Sequence, residues 1–329
     1  MATADLRIVS LLPAATEIAW ALGLGDRLVG RSHECDWPAA AAALPALTRP
    51  RVDPAASSRE IHEAVGRAVT AEPGTSTAIF ELDIDALAAL EPDLILTQAT
   101  CEVCAIAGDD VAEAIRRSRH PCRVVSLTAT SLAGLWADIL AVGRETSRLA
   151  QARELAARLR ARCDSVACRV AALDRHAGRR PKVAVIEWLD PPMAAGNWVP
   201  ELVKLAGGDD ILGHAGEHSH WLDWSTVAAA DPDVVILAPC GFTLDRIVAE
   251  AATAAVRHRL DGLRATREHR LWAIDGHHLL NRPGPRLVDS LEVLAALLHP
   301  GAFRWAASAE FAAPLGASWS PVTPEPEPR

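Results

Sequence analysis

Asp85-Ala-Leu-Ala-Ala-Leu-Glu-Pro-Asp-Leu-Ile-Leu96 and Ser225-Thr-Val-Ala-Ala-Ala-Asp-Pro-Asp-Val-Val-Ile236 follow one pattern. Each is a short helical run, a Pro-Asp turn and an apolar strand. A second pair occurs in the same order: Gly23-Leu-Gly-Asp-Arg-Leu-Val-Gly30 and Ala206-Gly-Gly-Asp-Asp-Ile-Leu-Gly213. Two matched pairs in register imply a duplicated α/β lobe.

The surrounding sequence extends this reading. Ile8–Leu12, Leu28–Gly30, Leu94–Thr97 and Val124–Leu127 are short apolar runs alternating with helical patterns, and the alternation restarts with Lys182–Ile186, Val234–Leu237 and Leu271–Ile274. Strands alternating with helices predict parallel sheets covered on both faces. Between the halves, Leu132, Leu135, Trp136, Ile139 and Val142 form an apolar stripe. Leu149, Ala152, Ala156, Leu159, Cys163, Val166, Val170 and Leu173 continue it. Intervals of three and four are those of one helix face. Gly143 is the expected break, and residues 146–174 alone would span roughly 40 Å. The expected organisation is an N-terminal lobe over 1–130, a helical spine over 131–176, a C-terminal lobe over 177–300 and an extension over 301–329. The Pro/Glu-rich end, Pro321–Arg329, reads as disordered. The fold class is α/β, with two Rossmann-like lobes joined by a long helix.

Composition narrows the function. The 329 residues are 50% hydrophobic and 23% charged, with a net charge of −9. That balance suits a globular protein and opposes nucleic-acid binding, which wants a basic face. No apolar run reaches the length of a membrane span. Met1–Asp5 carries an acid and Arg7–Leu12 already reads as a strand, so the chain as written lacks a secretory signal. A cytoplasmic protein is expected, or a periplasmic or cell-surface one if translation starts upstream. Seven scattered cysteines do not resemble a disulfide framework. No nucleophile elbow, P-loop or dinucleotide fingerprint appears, so an enzyme is not expected.

Pro13-Ala-Ala-Thr-Glu17, Gly30-Arg-Ser-His-Glu-Cys-Asp-Trp-Pro38, Ala86–Ile95 and Leu205-Ala-Gly-Gly208 resemble, in order, the class III periplasmic binding proteins. Within that class the chain is similar to the cobalamin-binding proteins of ABC importers and their iron-siderophore-binding relatives. The resemblance covers residues 6 to 298. It implies two lobes on a rigid helix, a corrinoid ligand in the cleft between them, no required cofactor and a monomer. Glu34 stands where the family has an aromatic ligand contact, and Leu279, Leu280, Asn281, Arg282 and Pro283 match a second contact loop. Trp37, Trp188, Trp198 and Trp221 are the candidates for aromatic contact. The family docks an ABC permease through one acidic side chain per lobe. Asp85 matches the first position; Lys204 matches the second, with Glu201 one turn away.

Polar residues gather just after the predicted strands. His33, Glu34, Cys35 and Asp36 follow one strand, and Cys101 and Cys104 another. Glu187, Trp188 and Asp190 follow a third; His218 and His220 lie further on; Cys240, and then His277 and His278, follow two more. Open α/β sheets bind ligands at these carboxyl ends. Cys and imidazole suit zinc, iron or the cobalt of cobalamin. His33, Cys35, Cys101, Cys104 and Cys240 are therefore candidate ligands for zinc or iron, and His277 or His278 for an axial bond to cobalt. Two further readings remain: a cytoplasmic module for a tetrapyrrole or metal on the same scaffold, and a metal or redox protein using the Cys/His loops.

Overall fold

The structure is a computed structural model, and it describes residues 6–69, 79–98, 108–118, 120–177, 179–303 and 308–315. The chain falls into two compact units, Met1–Leu159 and Arg160–Arg329.

The first unit contains β1 (Ile8–Ser10), α1 (Pro13–Ala21), β2 (Leu28–Arg31), β3 (Thr48–Pro50), α2 (Ser58–Val69), β4 (Phe80–Leu82) and α3 (Ile84–Ala89). They are followed by β5 (Leu94–Gln98), α4 (Gly108–Ser118), β6 (Arg123–Leu127) and α5 (Leu132–Glu145). Its main sheet is wholly parallel, in the order β2-β1-β5-β6. Strands β3 and β4 form a separate antiparallel ribbon. Val9, Leu47, Leu82, Leu87, Ile95 and Val111 pack into one core cluster.

Helix α6 (Leu149–Ala177) carries the chain into the second unit. There follow β7 (Lys182–Leu189), β8 (Pro192–Ala194), α7 (Val199–Leu205), β9 (Asp209–Asp210), β10 (His220–Trp221), α8 (Trp224–Ala230) and β11 (Val234–Leu237). The unit ends with α9 (Leu244–Ala251), α10 (Ala254–Asp261), α11 (Arg264–Arg267), β12 (Leu271–Ile274), a π-helical turn over Gly276–Leu280, α12 (Leu287–Leu298), α13 (Ser308–Phe311) and β13 (Ala312–Pro314). Its parallel centre is β9, β7, β11 and β12, with β8, β10 and β13 added antiparallel.

The repeat read in the sequence is present in atomic detail. In each unit the Pro-Asp aspartate holds the start of the first strand. Asp93 Oδ2 accepts the Arg7 amide at 2.8 Å, and Asp233 Oδ2 accepts the Lys182 amide at 2.8 Å. The residue before each proline, Glu91 or Asp231, has positive φ, 43° and 48°. Proline bars its predecessor from the right-handed helical region, so both helices end there. Leu94–Thr97 and Val234–Leu237 are buried throughout, as central strands covered on both faces must be.

Two expectations are corrected. The stripe over 131–176 is two helices, and the break lies at Thr146–Arg148, where Ser147 takes φ 56°, not at Gly143. Gly143 lets the helices touch: a Cβ there would lie 2.4 Å from the Ala152 Cβ. The extension over 301–329 is not wholly outside the lobe. Ala312–Pro314 pairs with β12, and the Leu315 amide bonds the Leu271 carbonyl at 2.9 Å.

Candidate functional site

In the first unit, the loop after β2 is built around Arg31. Its guanidinium donates to the carbonyls of Leu44 (3.2 Å), Ser32 (2.9 Å), His33 (3.2 Å) and Ala42 (3.0 Å). Thr48 ties the loop to β3: its Oγ1 accepts the His33 amide at 2.9 Å, lies 2.6 Å from His33 Nδ1 and donates to Ser32 Oγ at 3.0 Å. This frame presents Glu34 and Asp36, both half-buried, and Trp37, which is 47% exposed. His33 Nε2 lies 3.2 Å from Glu34 Oε1, and its ring packs edge-on against Phe80. Cys35 is fully buried with Sγ facing the Ser10 carbonyl, so it packs the loop and does not reach a ligand. The metal assignment for Cys35 is thereby corrected. Cys101 and Cys104 lie outside the described residues. Asp85 sits in the first turn of α3, its side chain exposed and paired with Arg117 at 2.6 Å.

In the second unit, Glu187 ends the central run of β7 in full burial, and Ser219 Oγ donates to its Oε2 at 2.5 Å. Burial pushes the Glu187 carboxyl up to about 7, against the Ser219 hydrogen bond. Trp188 packs edge-on against Phe242, Asp190 is half-buried, and Trp221 on the edge strand β10 is 52% exposed. Trp198 is corrected: it is buried, and its Nε1 donates to the Leu280 carbonyl at 2.7 Å, so it braces the loop from beneath. Leu279 and Leu280 are buried as well and serve as core anchors, leaving Asn281 and Pro283 at the loop surface. Cys240 is exposed at the turn after β11. His218 is exposed, and His220 stacks on His214. Glu201 lines a groove of about 370 Å³ with Ala167, Val170, Arg180, Lys204 and Leu205.

The turn after β12 has the most closely specified chemistry. Asp275 Oδ1 accepts the His278 amide at 2.7 Å, and Oδ2 lies 2.9 Å from His278 Nδ1. Burial pushes the Asp275 carboxyl up, but the hydrogen bonds and charge of His278, together with the Leu244 amide, outweigh it and hold it below its ordinary value. The His277 Nε2 faces Arg282 Nη2 at 2.9 Å, and the Arg282 side chain is buried. Arg286 donates to the His278 carbonyl. The Gly276 and His277 amides both bond the Phe242 carbonyl, and a Cβ at Gly276 would lie 2.2 Å from the Pro239 carbonyl oxygen. Only glycine fits this turn. Arg282, expected as a ligand contact, is corrected: it is buried and turned to His277. Arg31 and Asp275 carry no motif in the sequence, and an Asp three residues before His278 is the signal available for the second.

The periplasmic binding protein family matches residues 8–276. The chain belongs to that family. It is a substrate-binding protein of the ABC-transporter type. It is 26% identical over 298 residues to a cobalamin-binding protein of Halobacterium salinarum, covering 89% of this chain and 69% of that one. Its fold matches a periplasmic heme-binding protein of Pseudomonas aeruginosa with a TM-score of 0.69 at 22% identity, covering 90% and 93% of the two chains. It also matches the periplasmic vitamin B12-binding protein of Vibrio cholerae with a TM-score of 0.63 at 21% identity, covering 89% and 96%. No helix among the described residues is long and apolar enough to cross a membrane.

Proposed function

We propose that this substrate-binding protein carries a corrinoid, cobalamin, to an ABC permease. The observation that carries the reading is the loop after β2. Trp37 is exposed between Glu34, Asp36 and an alanine run, and the segment from Ser32 to Leu44 contains no lysine or arginine. Arg31, which precedes that segment, donates to four of the loop's backbone carbonyls. Haem carries two propionates and calls for basic partners. The rim of a corrin carries amides, whose N–H groups are donors that carboxylates accept, while the ring face stacks on an indole. The cobalamin-binding and vitamin B12-binding relatives support the same choice, and the heme-binding neighbour supplies the competing one. On this reading the exposed Asp85 and the groove-lining Glu201 are the surfaces offered to the permease.

Calorimetric titration of the purified chain with cyanocobalamin and, separately, with hemin tests the proposal. The expected result is one saturable cyanocobalamin site and weaker, non-saturating hemin uptake. Saturable hemin binding with no response to cyanocobalamin would overturn it.

A further inference from the structure

We infer that the hydrogen bond from Ser219 to Glu187 holds the segment Ile211–Trp221 in the shape that presents Trp221 to the ligand, which makes Glu187 and Ser219 positioning residues for binding. The inference rests on the corrinoid reading above and adds to it the device that sets one of its indole contacts.

Glu187 stands at an irregularity in β7. Its neighbours Ile186 and Trp188 pair with Ala194 and Met193, which are adjacent in β8, so Glu187 is the extra residue of a bulge. A bulge re-aims the side chain it carries. The backbone is fixed from the other side, where the Glu187 carbonyl accepts the Cys240 amide at 3.0 Å. The carboxyl is buried, and its Oε2 accepts the Ser219 hydroxyl at 2.5 Å. Ser219 immediately precedes β10, the two-residue strand that carries the exposed Trp221 and pairs with β8. One side-chain bond therefore joins the bulge to the start of the strand that holds the indole.

The rest of the segment is fitted to the turn that follows β8. Asp210 Oδ1 accepts the amides of Leu212 and Gly213 at 3.1 and 2.8 Å. A Cβ at Gly213 would lie 2.4 Å from the Ala195 carbonyl oxygen, and one at Gly196 would lie 2.5 Å from the Glu217 carbonyl oxygen. Between these close approaches, the Asn197 amide donates to the Glu217 carbonyl at 2.6 Å and the Asn197 carbonyl accepts the Gly216 amide at 2.8 Å. The middle of the segment, His214 to His218, is exposed throughout. Apolar burial contributes little there, so polar bonds decide where the segment lies.

Among those bonds the one to Glu187 ends on a buried carboxyl. Removing the hydroxyl leaves a buried acceptor without its donor, and leaving such a group unsatisfied costs more than the bond itself contributes. Lifting the segment lets water reach the carboxyl, so the lifted state gains population. A ligand that needs the seated state then binds more weakly, in proportion to the fraction of molecules that have left it.

Calorimetric titration with cyanocobalamin, paired with native-state amide exchange on the full chain, tests the inference. Ser219→Ala is expected to bind roughly 10-fold more weakly than the unmodified chain. Its amides at Asn197, Gly213 and Gly216 are expected to exchange faster, while those of β7 and β11 keep their rates. Ser219→Thr keeps the hydroxyl and is expected to restore both affinity and exchange. If Ser219→Ala does not fold, Ser219→Cys, whose thiol is a weak donor, gives the same comparison with a smaller loss. Unchanged affinity in Ser219→Ala overturns the inference while leaving the corrinoid reading intact. So does a loss of affinity that Ser219→Thr does not restore. A loss with unchanged exchange assigns Ser219 to direct ligand contact and overturns the positioning role. An unmodified chain that binds no cyanocobalamin removes the corrinoid reading, and this inference with it.

Discussion

Glu187 shows how one side chain ties the second unit to pH. Its carboxyl is buried, accepts the Ser219 hydroxyl and is raised by burial from the ordinary 4.5 to about 7. A raised carboxyl means that the folded state holds the proton more tightly than the unfolded state. Folding stability is then greatest below about 4.5, falls as pH rises towards 7, and levels off above it. A shift of this size corresponds to about 3 kcal/mol. Glu187→Gln keeps a partner for Ser219 and removes the ionisation. It is expected to melt close to the unmodified chain at pH 4 and well above it at pH 8, read by calorimetric scans across that range. Equal melting temperatures at pH 8 would show that Glu187 ionises without cost. Asp210, raised to about 6 chiefly by burial, adds a smaller slope of the same sign.

At the scale of elements, the loop between β2 and β3 depends on a single cation. Arg31 satisfies four carbonyls of the segment that presents Glu34, Asp36 and Trp37, and hydrogen bonds from a charged donor are each worth about 1.5–3 kcal/mol. Arg31→Ala leaves those carbonyls to water and loosens the loop. Cyanocobalamin affinity is expected to fall about 10-fold, or about 1.4 kcal/mol, with Arg31→Lys restoring only part of it because an ammonium cannot reach four carbonyls at once. Calorimetry measures both variants; unchanged affinity in Arg31→Ala would separate the loop from the ligand. The same loop marks a limit of sequence reading. Its composition announced a polar site, but the burial of Cys35 against the Ser10 carbonyl and the fourfold use of Arg31 depend on the chain before β3 returning beside Arg31, which no local pattern encodes. Likewise Trp198, Leu279 and Leu280 have the composition of a ligand surface and turn out to be buried, with Trp198 bonded to the Leu280 carbonyl.

For the whole molecule, the duplicated pattern made the architecture legible, because helix, Pro-Asp turn and buried strand each leave a strong local mark. The site was legible only as a set of loops, since which loop side chains are buried and which stay exposed depends on hydrogen bonds between loops, as at Cys35 and Asp275. The repeat also predicts where the chain holds its structure longest. In each unit the central strands are fully buried: Ile8 and Val9 with Leu94–Leu96, and Val183–Ile186 with Val234–Leu237. Each pair is closed by an aspartate, Asp93 or Asp233, against the first strand. The edge strands differ: β6 exposes Arg123, Val124 and Ser126, and β10 exposes Trp221. Amide exchange follows the free energy of local opening, so buried, doubly paired strands exchange last. Native-state hydrogen exchange should therefore show two slow cores, β1 with β5 and β7 with β11, while β6 and β10 exchange early. The Asp233 cluster adds a difference between the two. Arg179 at 2.6 Å and Arg264 at 3.0 Å both bond Asp233, whereas the side-chain hydrogen bond that Asp93 makes among the described residues, beside the strand amide, is with His120 at 3.0 Å. Asp233→Asn is thus expected to speed exchange in β7 and β11 more than Asp93→Asn does in β1 and β5, and equal effects would mean that the arginines contribute little to holding the strand.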